Sequence, residues 1–528
     1  MDTISTTHLG AVEIARSIAA GDVSAREVVD THIARIEATH DRLNAVVIQR
    51  FRGARVEADD ADTRQRRGEP LGPLHGVPVT IKDQFDVAGL PTTIGTPRLA
   101  QRLAERDGAM VGAWRQAGAI VLGKGNVPQA LSASETDNDL FGRTNNPWDA
   151  SRTPGGSSGA DAAIVAAGGV PLALGGDWGG SLRVPAAWCG IATVNATARR
   201  FPIDSFPDVR SAFGTEGIIA LPGPLARRTE DVAAALRVMI DAVLNRPTGS
   251  SPPVPWRDPA EVDVGRLRVG VLQEVAGWTP APAIRRALAE AATSLRAAGA
   301  DVEVWNDGPD TLAGVLLGLA IGMGAGASPM RQALRGDAPH ALVKADMQMM
   351  ALPRPALRAI ASLLARTGQE RAARLVRSVG NRSAAELYDL MGDRAAYETA
   401  FLVALEAAAY DVLLCPPMPI PAPRHRQTPD LIDAFAAPAL FTTLGMPTGV
   451  VAVTRVRPGE ESDRPVSKDK AFETAREAER GSAGLPVGVM VAGRHWREDV
   501  VLAVMAAIEE TTLDEGRGVA ESPVAAGG

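Results

Sequence analysis

Two serines sit in unusually glycine-rich surroundings. Ser157 lies in Gly155-Gly156-Ser157-Ser158-Gly159, and Ser181 follows Gly175-Gly176-Asp177-Trp178-Gly179-Gly180. A serine hydroxyl becomes a useful nucleophile only when a neighbouring base takes its proton. Paired glycines beside it let backbone N–H groups approach a substrate oxygen, as oxyanion stabilisation requires. The first cluster formally fits G-x-S-x-G, but a loop (Asn145 to Pro154) precedes it where such an elbow needs a strand. The later histidines, His340, His425 and His495, have no distinguishing context. A flexible Gly/Ser tether is the plain alternative, yet the helix-like run Ala160 to Ala167 follows at once and favours a positioned loop. An isolated lysine, Lys82, ends an apolar run and makes a plain turn a less comfortable reading. Gly118-x4-Gly123-Lys124 approaches a phosphate-binding loop. It carries Gly125 where Ser or Thr would hold magnesium, and the residues between its glycines read as a strand.

The elements that must hold these residues alternate in type. Residues 9–39 read as two amphipathic helices broken at Gly21-Asp22, with Ser24 capping the second. Gly76 to Ile81 is a short β-branched run that delivers Lys82, and a helix at 107–117 precedes the strand-like 119–122. Further on, a helix at 283–298 leads into strand-like 302–305, and long helical stretches continue to about 410. Strands are expected at 410–414, 447–456 and 485–492. Residues 455–480 carry 14 charges in 26 positions and read as a solvated excursion. This alternation predicts an α/β fold.

Composition narrows the class. The 528 residues include 53 glycines and 38 prolines, with 45% hydrophobic residues, which excludes a disordered chain. A net charge of −7 disfavours nucleic acid as partner. Two distant cysteines and seven scattered histidines offer neither a disulfide framework nor a metal site. The opening MDTISTTHLG shows no secretory pattern, so a cytoplasmic location is expected. The uncharged stretch Leu312 to Met330 holds five glycines and reads as a buried helix or loop, not a membrane span.

Taken together, PVTIKD (78–83), GKGNVPQ (123–129), FGRTNNPWD (141–149), PGGSSG (154–159) and GGDWGGSLRVPA (175–186) resemble the amidase signature hydrolases. The likeness is strong over residues 10–245 and resumes in LGMPTGVVAVTRV (444–456) and GLPVGVMVAG (484–493). It implies an α/β fold with a mixed twisted sheet covered by helices on both sides. It also implies hydrolysis of a carboxylic amide through an acyl-enzyme, without cofactor or metal. Lys82, Ser157 and Ser181 would form a Ser-Ser-Lys triad, with Ser181 the nucleophile, Ser157 the proton shuttle after a cis peptide bond, and Lys82 the base. Backbone N–H groups of Trp178, Gly179, Gly180 and Ser181 would hold the oxyanion, while Ser158, Asp177 and Arg183 would fix the loop. Departures from the usual pattern at Ala160, Gly176, Trp178 and Asn195-Ala196-Thr197 leave every triad member in place.

GKGNVPQAL and the charged insertion before GLPVGV look most similar to the fatty acid amide hydrolase-like branch, which places Leu131 at a substrate contact and a lipophilic acyl amide as substrate. An esterase with the same triad, and a non-catalytic or amidotransferase-type subunit, are the alternatives. One amidase domain is expected over 1–510, with its signature core at about 75–245, a variable substrate-lining helical region at about 280–410, and a loose tail at 511–528. Seven arginines and one acid fall between Arg354 and Arg382 beside an apolar face. Packed helices with surface or paired arginines are the favoured reading; peripheral contact with an anionic membrane is the alternative. A homodimer is left open.

Overall fold

In the computed structural model, residues 6–202, 214–215, 217–245, 251–514 and 522–523 are described. Its frame is one sheet of eleven strands: β1 (Val46–Gln49), β2 (Pro78–Lys82), β3 (Ile120–Gly125), β4 (Leu172–Asp177), β5 (Ala192–Asn195), β6 (Leu221–Ala226), β7 (Arg268–Val271), β8 (Asp301–Val304), β9 (Val412–Cys415), β10 (Thr448–Arg455) and β11 (Pro486–Gly493). Their order is β1-β3-β2-β4-β6-β5-β10-β11-β9-β7-β8. The groups β3-β2-β4 and β9-β7-β8 are parallel. The remaining neighbours are antiparallel, so the sheet is mixed. Seventeen α-helices flank it among the described residues.

Strands β2, β3 and β4 are buried at every position. Both faces of the sheet are therefore covered there, and these strands are mostly apolar or glycine without alternation, the exceptions being Thr80, Lys82, Lys124 and Asp177. The amino-terminal helices form where the sequence places them, at Ala11–Ala20 and Ala25–Leu43. Ser24 and Glu27 close a reciprocal capping box at the start of the second, satisfying donors that the first turn leaves open. Its buried stripe of Val28, Val29, Ile33 and Ile36 packs into the core.

Arg152 anchors the loop that leads into the first serine cluster. It is fully buried and donates to the carbonyls of Ala422 (2.6 Å), Ala478 (2.7 Å), Arg480 (3.0 Å) and Gly481 (2.9 Å). One guanidinium thus ties the central loop to the carboxy-terminal part of the chain.

Two sequence expectations need correction. Residues 455–480 are not simply solvated: Lys470–Glu479 is a helix with Ala471, Thr474, Ala475, Ala478 and Glu479 buried. Its neighbourhood consumes charge in pairs, Arg464 with Glu479 at 2.7 Å and Arg286 with Glu460 at 2.9 Å. The tail also begins later than 511, because the helix Glu498–Asp514 runs through that point. Beyond it Ser522 is buried and donates to the carbonyl of Ala166 at 3.2 Å; the remaining tail positions lie outside the described residues. Leu312 to Met330 falls in the helix Thr311–Gly322, the turns after it and the start of the helix Ser328–Leu334. Among the described residues no helix is long and apolar enough to cross a membrane.

Candidate active site

Lys82 is the last residue of β2, between the parallel neighbours β3 and β4, and it is fully buried. Its Nζ lies 2.8 Å from Ser157 Oγ and donates to the carbonyl of Gly176 at 2.9 Å. Burial removes the water that would solvate an ammonium and pushes Lys82 down to about 7, against the opposing pull of Asp161 and Asp177. A lysine in that range is available as a base near neutrality.

Ser157 follows the cis peptide Gly156–Ser157 and precedes the helix Gly159–Ala166. The two serine clusters are stitched together by backbone and hydroxyl. Ser158 N–H donates to the carbonyl of Ser181 at 3.1 Å. Ser158 Oγ also donates to the Gly176 carbonyl at 3.2 Å and accepts from the Gly176 N–H at 3.3 Å.

Asp177 ends β4 and organises the second cluster around its carboxylate. It accepts from the N–H groups of Gly180 (2.6 Å) and Leu182 (3.0 Å) and from Arg183 Nε and Nη2, both at 2.9 Å. Burial alone would raise its pKa. Arg183 and the backbone donors outweigh that and hold it below the usual carboxylate range. Arg183 in turn donates to the Pro438 carbonyl (2.8 Å) and Thr442 Oγ1 (2.7 Å), locking the loop to the helix Ala436–Leu444. The N–H of Gly180 is thus already engaged. Those of Gly179 and Ser181 have no partner among the described residues.

A cavity of about 360 Å³ opens beside this loop. Gly156, Trp178, Gly179, Gly180 and Ser181 line it, together with Leu131 and apolar side chains that include Leu319, Met323, Met330, Met349, Val376 and Phe435. Trp178 lies against the helix Thr311–Gly322, where a Cβ on Gly322 would fall 2.2 Å from its Cζ2. The large indole is accommodated by that glycine. Hydrogen bonds therefore join Lys82 with Ser157 and, through Gly176, with Ser158, and separately join Asp177 with Arg183, while Ser181, Trp178, Gly179, Gly180 and Leu131 meet at one cavity.

Asp161 was not singled out by sequence. It lies in the first turn of the helix Gly159–Ala166, fully buried, with Oδ1 3.4 Å from Thr80 Oγ1. Burial pushes its carboxyl up to about 7, while Lys82 pulls the other way. The available signal was a single acid in the otherwise apolar run Gly159 to Ala167. Lys124, the lysine of the phosphate-loop look-alike, ends in a buried ion pair with Asp83 at 2.7 Å and donates to the Pro91 carbonyl at 2.7 Å. Its preceding residues are strand β3, a geometry without a phosphate cradle.

The arginine-rich stretch forms two packed helices, Arg354–Arg366 and Glu370–Ser378, with Leu357, Ala361, Ala373 and Val376 as a small core of their own. Arg371 pairs with Asp433 at 2.9 Å and stacks on Trp278, and Arg354 pairs with Glu386. Arg358, Arg366, Arg374 and Arg377 are exposed, as is Leu363.

Comparison with known proteins fits this architecture. The Amidase family model matches residues 27–502. A fatty-acid amide hydrolase 1 from Sus scrofa is 30% identical over 456 residues, 85% of this chain and 78% of that protein. A glutamyl-tRNA(Gln) amidotransferase subunit from Salinispora tropica is 38% identical over 304 residues, 56% of this chain and 60% of that protein. Among solved structures, a fatty acid amide hydrolase superposes with a TM-score of 0.82 at 23% identity, covering 98% of this chain and 87% of that one. The chain belongs to the amidase signature family, on its fatty acid amide hydrolase-like branch, and is an amide-hydrolysing enzyme.

Proposed function

We propose that the reaction runs through a Ser-Ser-Lys triad of Ser181, Ser157 and Lys82 and takes a lipophilic acyl amide. Neutral Lys82 accepts the Ser157 proton as Ser157 takes that of Ser181. Ser181 Oγ then attacks the amide carbonyl carbon. The N–H groups of Gly179 and Ser181 are the donors available to the developing oxyanion, each of a kind worth about 3 kcal/mol in comparable sites. Collapse of the tetrahedral intermediate breaks the C–N bond, and the proton returns through Ser157 to the leaving amine. Water, activated by the same relay, cleaves the acyl-enzyme and releases the acid.

The observation that carries this reading is the 2.8 Å separation of Lys82 Nζ and Ser157 Oγ, both on buried residues. The apolar cavity beside Ser181 supports a lipophilic chain, and the name of the Sus scrofa relative points the same way. One domain over residues 1–510 is consistent with a sheet whose strands run from Val46 to Gly493.

Ser181→Ala should abolish both amide turnover and labelling by a fluorophosphonate probe; a variant with full activity refutes the nucleophile. Matched amide and ester substrates separate an amidase from an esterase by their relative kcat/KM. Turnover by the isolated chain speaks against an obligate partner of the amidotransferase type.

A further inference from the structure

Among the described residues that line the cavity beside Ser181, Asp346 alone is ionisable. It sits in the helix Ala341–Met350. Leu342, Met349 and Met350, its neighbours one helical turn away, line the same cavity. The carboxylate therefore interrupts an apolar face that points at the substrate space. Among the described residues no hydrogen bond or ion pair engages it, and the same is true of the Ser134 and Ser181 side chains in the lining. By contrast, Ser132, Thr428, Thr442 and Thr443 are all hydrogen-bonded within the protein.

Asp346 is half-buried, and a carboxylate set in an apolar wall without a partner is costly, since such groups are normally paired or hydrogen-bonded. Ligand sites are the common exception: a few polar groups in an otherwise apolar pocket fix the orientation of what binds. We infer that Asp346 is a specificity determinant, selecting amides whose apolar chain carries a cationic nitrogen at a set distance from the scissile carbonyl. This rests on the Ser181 reading above and names its substrate class more closely. Ionisation states are compatible with it. Burial pushes the Asp346 carboxyl up to about 6, so near pH 8 it is anionic while Lys82, at about 7, is largely neutral. A quaternary ammonium on the substrate keeps its charge at every pH.

The test uses two series of p-nitroanilides of graded chain length, one ending in trimethylammonium and the other in the isosteric neutral tert-butyl group. A second pair of series places the same termini on the amine side. At one chain length the enzyme should prefer the cationic member by about tenfold or more in kcat/KM, a modest fraction of what an unscreened charge pair supplies. Asp346→Asn should collapse that ratio. Asp346→Glu should keep a preference but move its optimum to a shorter chain. Because both substrates are read on one enzyme sample, the ratio does not depend on the fraction folded. A ratio near one at every length in both pairs of series, or a ratio that survives in Asp346→Asn, overturns the inference. Failure to hydrolyse any member, or turnover that survives in Ser181→Ala, would instead strike the Ser181 reading.

Discussion

Replacing Asp161 with asparagine removes the negative charge that faces Lys82 while keeping the shape of the side chain. Thr80, whose hydroxyl lies 3.4 Å from Asp161 Oδ1, is two residues before Lys82 on the same face of β2, a spacing of about 7 Å. Gly125 pairs directly with Lys82 across the strands, and a Cβ there would fall 2.4 Å from Asp161 Oδ1. At a charge separation of about 6 Å, an effective dielectric of about 20 gives roughly 2.8 kcal/mol, or about two pKa units. Asp161 is itself pushed up to about 7 and so is only about half ionised in the relevant range, which reduces the expected effect to about one unit. The sign follows from the charge. Asp161 favours the Lys82 ammonium, so its loss makes Lys82 easier to deprotonate. The acid limb of kcat/KM, which reports the base in the free enzyme, should move from about pH 7 to about pH 6. At pH 6 the wild type would retain about a tenth of its plateau rate and Asp161→Asn about half. Full pH profiles of both proteins on an uncharged amide, normalised to their own alkaline plateaus, measure this directly. An acid limb that stays in place or moves upward would refute Lys82 as the titrating base or Asp161 as its charged neighbour.

Three further outcomes can be checked alongside it. Asp177→Asn leaves the buried Arg183 without its carboxylate and frees the Gly180 N–H, so stability should fall by about 3–5 kcal/mol in denaturant unfolding, with a loss of kcat larger than any rise in KM. Arg152→Met takes the donor from four carbonyls, those of Ala422 and Ala478 on buried residues, and a fall of about 3 kcal/mol is expected, read as a lowered Tm. The packed and partly paired arginines of 354–382 predict no co-sedimentation with anionic vesicles at low salt; binding that disappears on Leu363→Ser would instead favour membrane contact through that exposed side.

The motifs of the proposed catalytic half stand out in the sequence because its parts are held by short-range, backbone-rich contacts. Ser158 hydrogen-bonds β4 and the Ser181 carbonyl, Asp177 folds the next five residues around itself, and Lys82 closes a five-residue strand. Geometry of that kind leaves little freedom in residue type, so glycines, serines and an aspartate recur at fixed offsets and can be recognised as a pattern. The strands were legible for a related reason: buried parallel strands demand unbroken apolar runs. Where reading failed, charge density misled. Residues 455–480 look like surface, yet within them the helix Lys470–Glu479 buries one side and engages its charges with Arg464 and nearby partners.

Which individual residues of the expected substrate-lining region would face the cavity was not legible, and the reason lies in how the cavity is assembled. Its walls come from segments around Leu131, Leu319, Met349, Val376 and Phe435, drawn together from far apart in the chain. Most contribute leucine, methionine, valine or alanine from packed helices, and any packed helix needs the same residues. Nothing in such a helix distinguishes a side chain that fills the core from one that borders empty space. The two informative residues are both single acids within apolar faces. Asp161 is paired electrostatically with Lys82 through an approach that only the β2–β3 register and the absence of a Cβ at Gly125 permit. Asp346 acquires meaning only because no described protein group meets it across the cavity. A lone carboxylate at such a position in a sequence reads as an exposed turn of helix. Only the three-dimensional inventory of its neighbours turns it into a question about the charge of the substrate.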